Sequence, residues 1–302
     1  MVKKRKLRAG ELGKYFVIFI LPALIIYLLF SITPFLYTIY YSFTDYTDMN
    51  PINLHFVGLK NYIKVLQTPV MLAAIKNSVI YAILLTGFQT LLGLPLAFVL
   101  NQKLKSRNLL RAVFFFPAVF SSLIIGYLWN FIMSSSDFGL INNILHQLGL
   151  GTLNFFTSKN ALYSVILTQI WQWTGWAMVI FLANLQSISP DLYEAAEIDG
   201  AGRFRRMISI TIPCIKGTVM IMVIFAVAGI LNNNFDQIYV LQNSFNLERS
   251  EVIDTYIYKI GIQQLQFGMA AAVNITKSFF SLALLLLANG IVSKLSDGYG
   301  LF

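Results

Sequence analysis

The chain has 302 residues, of which 57% are hydrophobic and only 12% charged, with a net charge of +9. Soluble domains carry about a quarter charged residues, so this composition excludes one and implies an integral membrane protein. The positive excess does not call for nucleic acid, because its placement is that of the inner loops of a membrane protein.

Apolar stretches near the ~20 residues needed to cross a bilayer lie at about 15–43, 77–101, 110–133, 161–186, 216–235 and 268–293,. They predict an all-α integral membrane fold with six transmembrane helices. The first helix follows a basic start and runs for nearly thirty residues without a small-x-small cleavage signature, so it reads as retained rather than as a signal peptide. It carries Pro22 and Pro34 and ends in Tyr37, Tyr40, Tyr41, Phe43 and Tyr46, an aromatic belt for the outer interface,. An outer segment with Phe56-Val57-Gly58-Leu59-Lys60-Asn61-Tyr62 leads to helix two, and a short basic turn from Asn101 to Arg111 leads to helix three. The outer segment 134–160 holds an amphipathic piece, Gly139 to Leu145, suited to lie on the membrane or a partner. Helix four, an inner loop at 187–213, helix five, a polar outer loop and helix six complete the order. Nothing in repeats, low-complexity tracts or linkers divides the chain, so 1–302 reads as one membrane domain with its transmembrane core at about 75–293.

Six crossings with both termini cytoplasmic place fifteen of the 22 Lys and Arg, against six acids, on the inner side. The outer side then holds seven of each, Lys277 counted among its bases. This positive-inside bias accounts for the whole charge excess and leaves no basic face for nucleic acid. The spans read as free of ionisable side chains between their flanks, which disfavours an ion-coupled transporter or proton pump. The single cysteine, Cys214, excludes an internal disulfide. His55 and His146 have no carboxylate or cysteine at ligand spacing and read as surface residues without a metal.

In the inner loop, Ser189 suits an N-cap, Pro190 the first helical position and Asp191 the positive end of the dipole. Gly200 suits a stop. Ala195 and Ala196 let another protein approach the helix closely, and Glu194 and Asp199 supply charges that fix register. Gly200, Ala201 and Gly202 permit a bend before a second segment, Arg203 to Thr211, that runs into helix five at Pro213. Taken alone, this is an amphipathic surface helix with a basic cluster. The spacing of Glu194-Ala195-Ala196, Asp199-Gly200-Ala201, Ile210 and Pro213, however, resembles the EAA loop of permease subunits in binding-protein-dependent ABC importers. One departure is Met207, where that family usually has an aromatic residue.

Tyr41-Ser42-Phe43-Thr44-Asp45-Tyr46, the segment Phe56 to Tyr62 and Gly139-Leu140-Ile141-Asn142 are similar to the maltose-type sugar-permease branch. Asp254-Thr255-Tyr256-Ile257-Tyr258-Lys259-Ile260-Gly261 is similar to its oligosaccharide and polysaccharide subgroup. The resemblance implies a type I ABC importer transmembrane fold in the cell membrane, with a carbohydrate, expected to be an oligosaccharide, as substrate. It further implies a heterodimer with a second permease, two cytoplasmic ATPase subunits and an extracytoplasmic substrate-binding protein. Glu194, Ala195, Ala196, Asp199, Gly200 and Ala201 become the residues that couple to the ATPase. The chain has no Gly-x-x-x-x-Gly-Lys-Ser/Thr loop to cradle phosphate, so it is expected to hold no cofactor, with ATP and Mg on the partner subunits.

Gln169, Gln172, Trp173 and Trp176 recur at i, i+3, i+4 and i+7 and share one face of helix four. Trp173 falls roughly 20 Å into the span. Amides that bond hydroxyls beside flat indole rings suit a sugar, and they equally suit packing between helices. Helix five adds Gly229, Asn232, Asn233 and Asp236 at the same spacing, with a solvated helix end as the other reading. Other solutes, such as glycerol phosphate or a peptide, are the alternatives within transport. A membrane-bound glycan-processing enzyme would need paired outer carboxylates from Asp236, Glu248, Glu251 and Asp254, which read as single groups on a solvated loop.

Overall fold

The computed structural model describes residues 9–48, 54–102, 104–135, 139–157, 159–228 and 235–295. They form fifteen helices: α1 Ala9–Tyr27, α2 Thr33–Ser42, α3 Lys60–Gln67, α4 Pro69–Asn101, α5 Arg107–Phe115, α6 Ser122–Ile132, α7 Leu140–Gln147, α8 Ala161–Ser187, α9 Pro190–Ile198, α10 Arg203–Arg206, α11 Ile212–Ala228, α12 Phe235–Leu241, α13 Leu247–Ser250, α14 Ile253–Tyr258 and α15 Phe267–Leu295. Among the described residues five runs are long and apolar enough to cross a membrane: Val17–Ser42, Pro69–Asn101, Ala161–Ser187, Arg203–Ile224 and Phe267–Lys294.

The sixth expected span, 110–133, is not one straight helix. α5 passes into a tight turn, Phe116–Val119, and the chain then swings through 98° into α6. Pro117 cannot supply an N–H to a continuing helix, Phe120 and Ser121 are extended, and the Ser121 side chain accepts the Leu123 N–H to start α6 afresh. Such a break leaves backbone groups without helical partners, which a membrane protein must satisfy from neighbouring helices. Gln172 of α8 does so by donating from Nε2 to the Phe120 carbonyl at 3.2 Å.

Two compact units are distinguished: the chain up to Val65 with Lys259–Thr276, and Leu66–Tyr258 with Lys277 onward. In the second, α4 and α8 form the centre. Ala97, Leu100, Ala177, Met178, Phe181, Leu182, Leu185 and Ile215 make one buried cluster, and Tyr81, Leu162, Val165, Ile166, Ile170, Ile238, Leu241 and Val252 another. α5 crosses α8 so closely that a Cβ on Gly175 would sit 1.9 Å from the Phe114 carbonyl oxygen, so only glycine fits there,.

In the first unit, two of the segments that carry the sugar-permease resemblance clasp one another. Asn61 Nδ2 donates to the carbonyls of Ser42 and Thr44, Ser42 Oγ meets Tyr62 Oη at 2.6 Å, and Thr44 pairs with Phe56 in an antiparallel bridge. His55, read from sequence as lacking a carboxylate neighbour, lies against Asp45 at 3.1 Å. The backbone N–H of His55 holds the Asp45 carboxylate below its ordinary pKa,. Among the described residues no cluster of His, Cys, Asp and Glu fits a metal.

Candidate functional site

The inner elbow begins at α9. Ser189 caps it by accepting the Asp191 N–H at 3.3 Å, and Pro190 stands at the first position. The helix closes in a Schellman motif: Ala201 N–H bonds the Ala196 carbonyl, Gly200 N–H bonds the Glu197 carbonyl, and Gly200 has φ +75°,. The caps therefore set both ends of α9 independently of any partner.

Helical periodicity then divides α9 into two faces. Tyr193 and Glu197 turn toward the second arm, where Tyr193 Oη meets Thr211 Oγ1 at 3.0 Å and Glu197 accepts from Arg206 Nη1 at 2.7 Å. Glu194, Ala195, Asp199 and Gly200 are exposed, and Ala196 and Ala201 are half-buried. Among these residues stands Ile198, 87% exposed, and Leu192 is also exposed. The sequence reading passed over both; an isoleucine on the Ala195 side of α9 was the signal available. The second arm contains a widened turn, Met207–Thr211, closed by the Ile212 N–H on the Met207 carbonyl. Met207, the departure noted in the motif, opens this π-type turn.

The four residues of the α8 face do not share one environment. Gln169 and Gln172 are buried, Trp173 is half-buried and Trp176 is exposed. Beside the glutamines, Gln237 of α12 donates to Thr168 Oγ1 at 2.7 Å. Gln169 Nε2, Gln172 Oε1 and Gln237 Oε1 are buried without a hydrogen-bond partner. Gly229, Asn232 and Asn233 lie outside the described residues, and Asp236 is exposed at the start of α12.

The outer segment departs from its reading as a polar, solvated loop. It folds into α12, α13 and α14, and much of it is buried. Asn77 of α4 donates to the carbonyls of Glu248 and Glu251, and Ser78 Oγ accepts the Ile253 N–H. Glu251 is only 2% exposed and takes a hydrogen bond from Thr255 Oγ1 at 2.6 Å. Burial also pushes the Tyr256 phenol above its ordinary pKa,. Asp254 is paired with Lys277 of α15, both side chains being largely buried. Lys277 stands ten residues into that apolar helix, about 15 Å along it,. The expectation of spans free of ionisable groups therefore fails at Lys277, whose charge is carried inside by a partner brought from the outer segment. Glu251 and Asp254 are thus engaged with Thr255 and Lys277, not a free carboxylate pair for hydrolysis.

Residues 89–297 match the family of binding-protein-dependent transport system inner membrane components. The chain belongs to this family. The permease is 32% identical to the polygalacturonan/rhamnogalacturonan transport system permease protein YteP of Bacillus subtilis, over 94% of this chain and 89% of that one. It is 35% identical to the trehalose/maltose transport system permease protein MalF of Thermococcus litoralis, over 80% of each. A chain of a bacterial alginate ABC transporter, solved in complex with an alginate pentasaccharide-bound periplasmic protein, superposes with a TM-score of 0.86 at 27% identity, covering 98% of the permease and 100% of that chain. The permease is a multi-pass inner-membrane protein and the transport subunit of an ABC transporter, with nucleotide bound by ATPase partners and not by this chain.

Proposed function

We propose that the permease imports a carbohydrate, an oligosaccharide or a fragment of a polysaccharide, by alternating access driven through its inner elbow. The observation that carries the coupling role is the elbow itself: a helix capped at both ends, bonded to its second arm along one face and left uncovered on the other. Glu194, Ala195, Ala196, Asp199, Gly200 and Ala201, with Ile198, form the surface that an ATPase cleft would grip. Because α9 follows α8 directly and its second arm runs into α11, a push on α9 reaches α8, whose face is proposed for the path, and α11, which precedes the other residues proposed for it in the chain.

The carbohydrate reading rests on the relatives, whose names specify polygalacturonan and rhamnogalacturonan, trehalose and maltose, and alginate. Trp173 and Trp176 support it as aromatic surfaces open to a neighbouring subunit or a passing sugar ring,. Gln169 and Gln172 lie behind them, Gln172 closing the break between α5 and α6. Asn232 and Asn233, with Gly229 and Asp236, complete the proposed wall. The functional assembly pairs this chain, acting as one domain over 1–302 with its core at about 75–293 and coupling loop at 187–213, with a second permease, two ATPases and an extracytoplasmic binding protein. Both termini face the cytoplasm. The test is uptake by the reconstituted transporter with labelled oligosaccharides, glycerol phosphate and peptides in parallel. Oligosaccharide uptake alone is expected, and uptake of either other class alone rejects the reading. Trp173→Ala should lower uptake about two- to tenfold, as loss of a ring contact of ~0.5–1.5 kcal/mol, with basal ATPase activity kept.

A further inference from the structure

Behind the elbow, on the side of α9 that carries Tyr193, lies a cleft of about 660 Å³, within the ~300–1,000 Å³ range of ligand pockets. We propose that it binds the headgroup of an anionic phospholipid from the adjoining leaflet. One wall is Phe98, three residues before the end of α4, whose run Pro69–Asn101 is one of the membrane-crossing helices. The facing wall is the start of another crossing run, Arg203–Ile224, and supplies Arg203, Arg206, Met207 and Thr211. The cleft therefore straddles the boundary between hydrocarbon and headgroups, apolar at Phe98 and Met207 and cationic at the arginines.

The charges match an anion. Arg206 uses Nη1 on Glu197, while Arg203 is exposed and makes no ion pair among the described residues. Its planar fork suits two oxygens of one phosphate. Basic pockets at the inner membrane surface select anionic headgroups over zwitterionic ones because a zwitterionic headgroup carries its own cation beside the phosphate, so its net attraction to a basic side chain is smaller. Phe204, Ile208 and Ile212, all exposed, continue from the cleft along the second arm and offer a track for the acyl chains. Methionine at 207 keeps the cleft open where a bulkier aromatic ring would take up its volume. A lipid is favoured over a polypeptide occupant because the uncovered surface of α9, with Ala195 and Ile198, lies on the opposite face from Tyr193, so an ATPase can dock without entering the cleft. A bound lipid would brace the second arm against the end of α4 and make elbow position depend on leaflet composition.

The test uses the full-length chain in nanodiscs that contain either photoreactive phosphatidylglycerol or photoreactive phosphatidylcholine, with the label mapped by mass spectrometry. The two faces of a nanodisc have the same lipids, so the outcome depends neither on the proposed orientation nor on the proposed substrate. Phosphatidylglycerol is expected to label 98–102 and 203–211 about fivefold more than phosphatidylcholine does, the ratio given by one cation near the surface. Arg203→Gln should remove most of that preference, Arg203→Lys should keep it, and Arg249→Gln on α13 should leave it unchanged. Equal labelling by the two lipids, preference that survives Arg203→Gln, or preference lost equally with Arg249→Gln overturns the proposal. So does displacement of the label by added ATPase, which would make the occupant a protein.

Discussion

The inner elbow, 187–213, and the outer segment, 235–258, come before and after helix α11 in chain order, and both carry charged residues on short helices. In the elbow those residues stay accessible: α9 is secured by its own caps and by two contacts to its second arm, and Ile198 is left bare. In the outer segment the polar groups are used up internally, with Asn77 and Ser78 gripping its backbone, Glu251 bonded to Thr255 and Asp254 to Lys277. A short polar helix in a membrane protein thus has two roles that differ in where its hydrogen bonds end. Bonds closed within the helix leave a surface for another subunit, and bonds closed onto neighbouring helices make part of the fold.

The sharpest way to break this comparison is at Asp254. Asp254→Asn leaves Lys277 charged and without its carboxylate in a largely buried site, and is expected to cost about 3–5 kcal/mol. A large fall in the thermal midpoint of the purified permease would show it, and an unchanged midpoint would remove the outer segment from the fold. Asn77→Ala strips the buried Glu251 carbonyl and the part-buried Glu248 carbonyl of a donor, with an expected loss of about 1–3 kcal/mol, measured in the same way.

The elbow should respond differently. Gly200→Val puts a β-branched residue at φ +75°, a local strain of about 1–3 kcal/mol, and should abolish co-purification of the ATPase while membrane insertion stays normal. Normal co-purification would contradict the coupling role of the elbow. The smallest effect is expected for Glu197→Gln, which removes an ion pair to Arg206 whose carboxylate is exposed, of about 0.2–1 kcal/mol,. Its midpoint should barely move, and a shift as large as that of Asp254→Asn would show that the elbow is as much a part of the core as the outer segment is.

Much of α9 was legible beforehand. Ser189, Pro190 and Gly200 act on backbone groups within a few residues of themselves, so their roles follow from local chemistry. The break before α6 was half legible: Pro117 marks where a helix cannot continue, but a 98° turn depends on α8 offering Gln172 to the freed carbonyl and Gly175 to the crossing helix. Lys277 was misread for the same kind of reason. In sequence it is a lone charge that must be pushed to a membrane edge, because its counter-charge lies 23 residues away and beyond a turn.

The amino-acid sequence by itself determined that the chain is an all-helical membrane protein, that its basic residues concentrate in alternate loops, and where α9 starts and stops. Those properties arise from hydropathy summed over a span, from charge placement and from bonds closed within one helical turn. Only the tertiary structure decided that the third span is broken, that Gln169 and Gln172 turn inward while Trp176 faces out, and that the outer segment is core rather than loop. These depend on which distant side chain satisfies a buried polar group, and helices that are apolar on every side give no periodic signal of which face will meet which neighbour.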